Sequence, residues 1–393
     1  MKRYNKLTPE GTKDILFEEC LAQREIGERL RKVFRSRGYN EVVTPGIEYY
    51  DVFDLEDAGI PQNEMYKSTD NKGRLIVFRP DLTLPIARLT ATRLKSVEKP
   101  IRLYYVQPVY RNRKDLSGRS DESMQAGIEL LGAGGLRADL EVITTAVDAL
   151  SACTEDFRLE IGDARFFKAL SDRLPVSAEM KEDIRLTIES KNYAALGDML
   201  DRLPASLYTE ALRSLPRLFG RDEVFKDAER FCKDDPVLAE TLSYMRTLYN
   251  ALSALGLGDR LMVDFGLVQK NEYYTGVVFS AYIEDYGDAV VMGGRYDKLL
   301  ESFGEPMPAV GFAAEVDALA KKLLSAKEQT VPTPEVLVHA ADGAEIRAQL
   351  LLRELTEQGK CVESSVFKTE EEAMEYARHR GIPQFIVISE EKE

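Results

Sequence analysis

The residues best placed to do chemistry lie between Arg111 and Glu129. The stretch reads Arg-Asn-Arg-Lys-Asp-Leu-Ser-Gly-Arg-Ser-Asp-Glu-Ser-Met-Gln-Ala-Gly-Ile-Glu. It predicts a strand, a polar loop holding Gly118, and a second strand. Side chains alternate across a strand, so Gln125, Gly127 and Glu129 face one way. Two polar groups flanking a glycine on one face suggest the floor of a ligand pocket. A solvated hairpin face is the plain alternative, and the residues alone weigh the two about equally. A second segment, Met292-Gly-Gly-Arg-Tyr-Asp297, reads as a glycine-rich hairpin. Its glycines allow close backbone approach, while Tyr296 is equally suited to packing. A third, Phe78-Arg-Pro-Asp-Leu-Thr83, is a strand end with a proline turn.

Other chemistries find few residues. The chain of 393 residues has two histidines, His339 and His379, both near the C-terminus. The main body therefore has none for a metal site or a Ser-His-Asp triad. The four cysteines (Cys20, Cys153, Cys232, Cys361) stand far apart with no CxxC spacing, as expected of reduced thiols. Composition is that of a globular protein, 44% hydrophobic and 31% charged. No apolar run approaches the length of a membrane helix. The N-terminus has charge but no apolar core, so no secretory signal is expected and the cytoplasm is the expected compartment. A net charge of −14 disfavours strong non-specific nucleic-acid binding.

The length predicts two or three domains. Residues 17–37 read as an amphipathic helix, with Ile26, Leu30, Val33 and Phe34 at helical spacing and Gly38 as a stop. Strand-like runs follow at 41–44, 74–78, 101–110, 124–131 and 157–161. A later set covers 261–264, 275–283 and 289–292, with turn residues at 286–288. Residues 137–151 read as helix. Many strands with loosely spaced helices suggest an α+β fold with an antiparallel sheet. Strand signals vanish over 165–257, which predicts a helical insertion. Residues 325–334 carry two prolines and read as a linker. From 335 to 393 a β-α-β-α-β pattern predicts a small parallel α/β domain.

The 111–129 segment is similar, without gaps, to motif 2 of histidyl-tRNA synthetases (FRxExPxxGRxRxFxQxGxE). Arg111, Gly118, Arg119, Gln125, Gly127 and Glu129 match, whereas Arg113, Asp121 and Ser123 depart from it. The run Leu267-Val-Gln-Lys-Asn-Glu-Tyr-Tyr-Thr-Gly-Val-Val-Phe279 resembles the family's histidine signature, LVRGLDYYxxxVF. Tyr273, Tyr274 and Phe279 survive, but the arginine that assists attack on ATP is Gln269. Residues 78–83 resemble LRPEGT, and 292–297 match GGRYD. Residues 309–319 resemble motif 3, with Ala318 at the triphosphate arginine and Glu315 at a glycine. Residues 9–14 and 38–45 resemble the family's opening and motif 1.

The resemblance implies a class II aminoacyl-tRNA synthetase-like domain over 1–324 and a truncated anticodon-binding-like domain over 335–393. That last domain holds 13 acidic and 7 basic residues, unlike a tRNA-reading surface. The implied histidine-binding residues are Asp81, Thr83, Arg111, Gln125, Glu129, Tyr273 and Tyr274. In this pattern Glu129 with Tyr273 or Tyr274 addresses the imidazole. Asp81, Thr83 and Gln125 address the amino group and Arg111 the carboxylate. The synthetase positions Arg113, Gln269 and Ala318 are lost together, so catalysis is not expected and no cofactor is called for. A retained amino-acid pocket without ATP chemistry is similar to the regulatory subunits of ATP phosphoribosyltransferase. That resemblance implies a short-form catalytic subunit as partner, self-dimers, histidine as ligand and no tRNA. The alternatives are a working histidyl-tRNA synthetase and a histidine sensor that regulates another protein.

Overall fold

The computed structural model describes residues 5–55, 60–113, 120–268, 273–326 and 330–389. Two compact units divide the chain, Met1–Ala326 and Lys327–Glu393. The first opens with α1 (Phe17–Ser36) and β1 (Asn40–Glu41). A small antiparallel sheet follows from β2 (Ile47–Tyr49), β3 (Lys67–Thr69) and β4 (Leu75–Phe78), then α2 (Thr83–Arg93). The long strands β5 (Ile101–Tyr110) and β6 (Glu122–Leu131) precede α3 (Leu136–Ser151) and β7 (Phe157–Asp163).

Six helices come next: α4 (Ala164–Asp172), α5 (Ala178–Glu189), α6 (Tyr193–Leu200), α7 (Leu207–Ser214), α8 (Glu223–Cys232) and α9 (Pro236–Leu252). The two-residue strand β8 (Phe219–Gly220) interrupts them. The unit closes with β9 (Leu261–Asp264), β10 (Val277–Ile283), β11 (Val291–Arg295), β12 (Ala309–Glu315) and α10 (Val316–Ser325).

The main sheet has nine strands in the order β1-β5-β6-β12-β11-β10-β7-β9-β8. Its centre is antiparallel, but β1 pairs with β5 and β7 with β9 in parallel, so the sheet is mixed. The insertion is not purely helical either. Phe219 and Gly220 pair with Asp264 and Val263 and extend the sheet edge, a pairing too short to show as strand periodicity.

The two faces of the sheet are covered differently. Ala22, Ile26, Leu30 and Phe34 recur at helical spacing and bury one stripe of α1. Phe34 meets Tyr104 and Phe312 at 5.7 and 5.9 Å between ring centres. With α3 and α10 this forms the larger core. The opposite face carries a second core, where Leu103, Tyr105 and Val109 of β5 meet Leu84 and Ile86 of α2 and Tyr273 and Tyr296. The candidate site lies on that second face.

The second unit pairs β13 (Val336–Ala340) with β14 (Val362–Ser364) and β15 (Gln384–Ile388), all parallel. Helices α11 (Glu345–Glu357) and α12 (Glu370–Arg380) complete it. Thr369 and Glu372 form a capping box at the start of α12, and Gly381 ends it in the left-handed region at φ 70°. Its buried His339 pairs with the Ser365 hydroxyl at 3.0 Å, a structural contact. Among the described residues, no helix is long and apolar enough to cross a membrane.

Candidate functional site

Glu129 stands at the centre of the second face and is 1% exposed. Thr83, at the start of α2, donates its hydroxyl to Glu129 Oε1 at 2.7 Å. The Tyr296 hydroxyl donates to Oε2. Tyr273 packs edge-on to Tyr296 at 5.7 Å, and Tyr274 lies 4.9 Å from Tyr273. Burial pushes the Glu129 carboxyl up from 4.5 to about 8; the two hydroxyls oppose the rise and nearby Asp81 adds to it. Near neutral pH this is a proton-bearing carboxyl in a dry pocket of hydroxyls and rings. Such a group suits a heteroaromatic nitrogen that can share a proton.

Strand register explains how the sheet makes room. Leu103, Glu129, Gly311 and Gly294 stand opposite one another across β5, β6, β12 and β11. A Cβ on Gly311 would lie 1.8 Å from Glu129 Oε2, and one on Gly294 would lie 2.7 Å from the Tyr274 ring. The two glycines thus provide the space that the carboxylate and the tyrosine occupy.

The remaining residues of the implied pocket surround Glu129 but already hold partners. Asp81 Oδ1 accepts the Leu84 backbone N–H at 3.0 Å and so caps α2. Burial raises the Asp81 carboxyl, and the Arg111 charge opposes that rise. Arg111 Nε donates to the Pro80 carbonyl at 2.7 Å. Gln125, four residues from Glu129 on the same strand face, donates Nε2 to Glu315 Oε1 at 2.7 Å. Thr83 points at Glu129, rather than standing free for an amino group. Tyr296 and Tyr105 join the pocket beyond the residues implied by resemblance. The Tyr105 hydroxyl lies over Gly127, where a Cβ would meet it at 2.4 Å. The β5–β6 register places Tyr105 there, and no motif in the sequence marks it.

A profile of the family described as Histidyl-tRNA synthetase matches residues 11–319. An ATP phosphoribosyltransferase regulatory subunit from Clostridium botulinum (strain 657 / Type Ba4) is 35% identical over 400 residues, covering 100% of this chain and 94% of its own. One from Bacillus mycoides (strain KBAB4) is 36% identical over 390 residues, covering 97% and 91%. A solved structure described as an ATP phosphoribosyltransferase regulatory subunit/histidyl-tRNA synthetase from Bacillus halodurans matches at TM-score 0.86 and 28% identity, covering 100% of both chains. The chain belongs to the ATP phosphoribosyltransferase regulatory subunit family. Its fold is that of the class II synthetases, with the helical insertion and the small α/β unit.

A second cavity takes Arg111 and Glu315 into its lining, and Glu315 joins it to Gln125 of the Glu129 strand face. It has a volume of about 490 Å³. Arg113, Ser123 and Ala318, three departures from the synthetase motifs, line it together. Glu122, Glu315 and Asp317 line it as well, together with Lys13, Arg111 and Lys321. Asp317 also accepts the Gln23 amide at 2.7 Å and the Met124 N–H at 2.9 Å, which fixes its carboxylate at the cavity wall. Asp121, the charge reversal in motif 2, has a structural task. It takes the Tyr66 hydroxyl and the Arg113 N–H, while its own N–H reaches the Gly11 carbonyl at 2.6 Å. The Pro-Glu-Gly-Thr opening is thereby tied to the end of the polar loop. Gln269, Gly118 and Arg119 lie outside the described residues.

The GGRYD segment divides its labour. Tyr296 serves the pocket, whereas Arg295 serves the frame, donating to Asp139 at 2.9 Å and to Asp297 at 2.9 Å. Tyr244 of the insertion donates to the same Asp139. The network anchors α9 and α3 behind the Tyr273 turn.

Proposed function

We propose that this chain is the regulatory subunit of an ATP phosphoribosyltransferase of histidine biosynthesis and that it senses histidine in the Glu129 pocket. The carrying observation is the buried Glu129 carboxyl, held by the Thr83 and Tyr296 hydroxyls with Tyr273 packed on Tyr296. An imidazole and a carboxyl of comparable proton affinity can share one proton in such a pocket. Asp81 and Gln125 then stand toward the ammonium and Arg111 toward the carboxylate of the ligand. Binding exchanges the Gln125–Glu315 contact for a contact to ligand, which gives the sheet two arrangements that histidine distinguishes.

The chain has no catalysis of its own on this reading. Ala318 supplies no cation for a triphosphate, and Glu315 repels one. Removing one preorganised charge stabiliser typically costs about 10²–10³ in rate. The partner is a short-form catalytic subunit, which needs this chain for activity and is suppressed through it by histidine. Self-association is supported by an apolar face on the small sheet. Ile47 and Phe78 are paired there, with Tyr49 alongside, and all three are exposed together with Val43. The acidic C-terminal unit supports the absence of tRNA binding. The cytoplasm is the compartment where such an enzyme complex would work.

Calorimetric titration of L-histidine into the full chain tests the pocket. Saturable binding that Glu129→Ala removes is expected. Equal binding by the variant would place the ligand elsewhere.

A further inference from the structure

We propose a second ligand site, for a phosphorylated small molecule such as a nucleoside monophosphate, in the cavity between α4, α5 and the Tyr273 turn. The cavity holds about 870 Å³, inside the usual range of ~300–1,000 Å³ for small-molecule sites. Glu129, Thr83 and Tyr296 do not line it, so it is distinct from the histidine pocket, although Tyr273 and Tyr274 form a shared wall.

Its charge is opposite to that of the molecule. Arg165 and Lys168 of α4 and Lys181 and Arg185 of α5 line it, with Lys298 facing them. Two carboxylates, Asp172 and Glu182, share the lining; Arg165 is also held by Asp163 at 2.7 Å and Arg185 by Glu182 and Glu189 at 2.6 and 3.0 Å, so the ammonium groups of Lys168, Lys181 and Lys298 are the charges that bear on an anion. The cations converge. Lys168 and Lys181 come from different helices and hold the same Asp172 carboxylate, at 3.0 and 3.1 Å. Lys168 is 74% exposed, and ion pairs so exposed are weak. A doubly charged phosphate can therefore displace Asp172 and take both ammonium groups. The first turn of α5, a helix of twelve residues that also carries Lys181, borders the same space at Ala178. The α5 dipole favours an anion there. The lining also holds apolar and aromatic surface, from Phe167, Val268, Leu55 and the Tyr274 ring, which suits a base or sugar face. Phosphate on Lys168 and Lys181 at the start of α5 and a ring against Tyr274 is the arrangement that fits this lining.

Titrations at low salt with AMP, and with adenosine as its uncharged counterpart, test the site on the full chain. Saturable AMP binding that adenosine lacks is expected. The double variant Lys168→Glu/Lys181→Glu should weaken AMP by about ten-fold or more, with histidine binding and melting temperature unchanged. Lys298→Glu, on the opposite wall, should weaken AMP independently. Absence of saturable AMP binding at concentrations on the order of 1 mM would overturn the site. So would equal affinity for adenosine, or AMP binding that survives the lysine variants but is lost in Arg113→Glu. None of these outcomes bears on the Glu129 pocket, whose own titration stands apart.

Discussion

Replacing Glu129 by glutamine should make the folded protein more stable, and by an amount that grows with pH. Burial lifts the Glu129 carboxyl from 4.5 to about 8 in the folded chain. The folded state therefore keeps a proton that the unfolded state releases above pH 4.5. Stability falls as pH rises wherever the folded state binds more protons. The loss begins near pH 4.5 and is complete once pH passes about 8. The gap on the pH scale is about 3.5, so at ~1.36 kcal/mol per unit the full penalty is about 5 kcal/mol. At pH 7 it is about 3 kcal/mol. Glutamine keeps the shape, carries no charge and still accepts a hydroxyl at its oxygen. One of the two hydroxyl contacts is reoriented, which costs about 1 kcal/mol. A net gain of about 2–4 kcal/mol is expected at pH 8, shrinking to nothing or reversing at pH 5. Denaturant melts of both proteins at half-unit pH steps give the difference directly. A difference that is flat with pH, or a variant less stable at pH 8, would refute the buried, proton-holding carboxyl.

Histidine affinity should be highest between about pH 6.5 and 8, where one proton is shared by the imidazole and Glu129. Calorimetry across pH should show the affinity falling on both sides, and Glu129→Gln should lose the upper limb. Tyr296→Phe removes one hydroxyl from the Glu129 carboxylate and should weaken histidine by about 1.5–3 kcal/mol, read by the same titration. Gly311→Ala puts a methyl into the space of the carboxylate and should lower stability by about 1–3 kcal/mol and abolish histidine binding. Burial pushes the Cys153 and Cys232 thiols up to about 12, while Cys361 is exposed. Mass spectrometry after brief alkylation at pH 8 should find Cys361 labelled well before Cys153 or Cys232.

The long elements were legible because periodicity or alternation ran through them. The expected 101–110 and 261–264 strands coincide with β5 and β9, and the 17–37 helix ends within a residue of α1. Short pairings left no such trace. β8 spans only Phe219 and Gly220, and the three-residue strands β2 and β3 are held mainly by their partner β4. Within the site, the alternation of Gln125, Gly127 and Glu129 foretold one face, and the structure assembles that face. What surrounds Glu129 depends on register between strands far apart in sequence. Gly311 stands beside it and Tyr105 stands beside Gly127 only because β12 and β5 pair with β6 as they do. The Gln125–Glu315 hydrogen bond has the same origin, since Glu315 faces Gln125 only through the β12–β6 register. Asp121 likewise looked like a lost arginine, and its contacts with Tyr66 and Gly11 require the folded opening segment.

Phosphoribosyl transfer by a short-form catalytic subunit, measured with and without this chain across a histidine titration, tests the regulatory account most directly. The account predicts that the chain raises the rate, that histidine then suppresses it, and that Glu129→Ala retains the activation and loses the suppression. A rate that this chain leaves unchanged at every histidine concentration would contradict it.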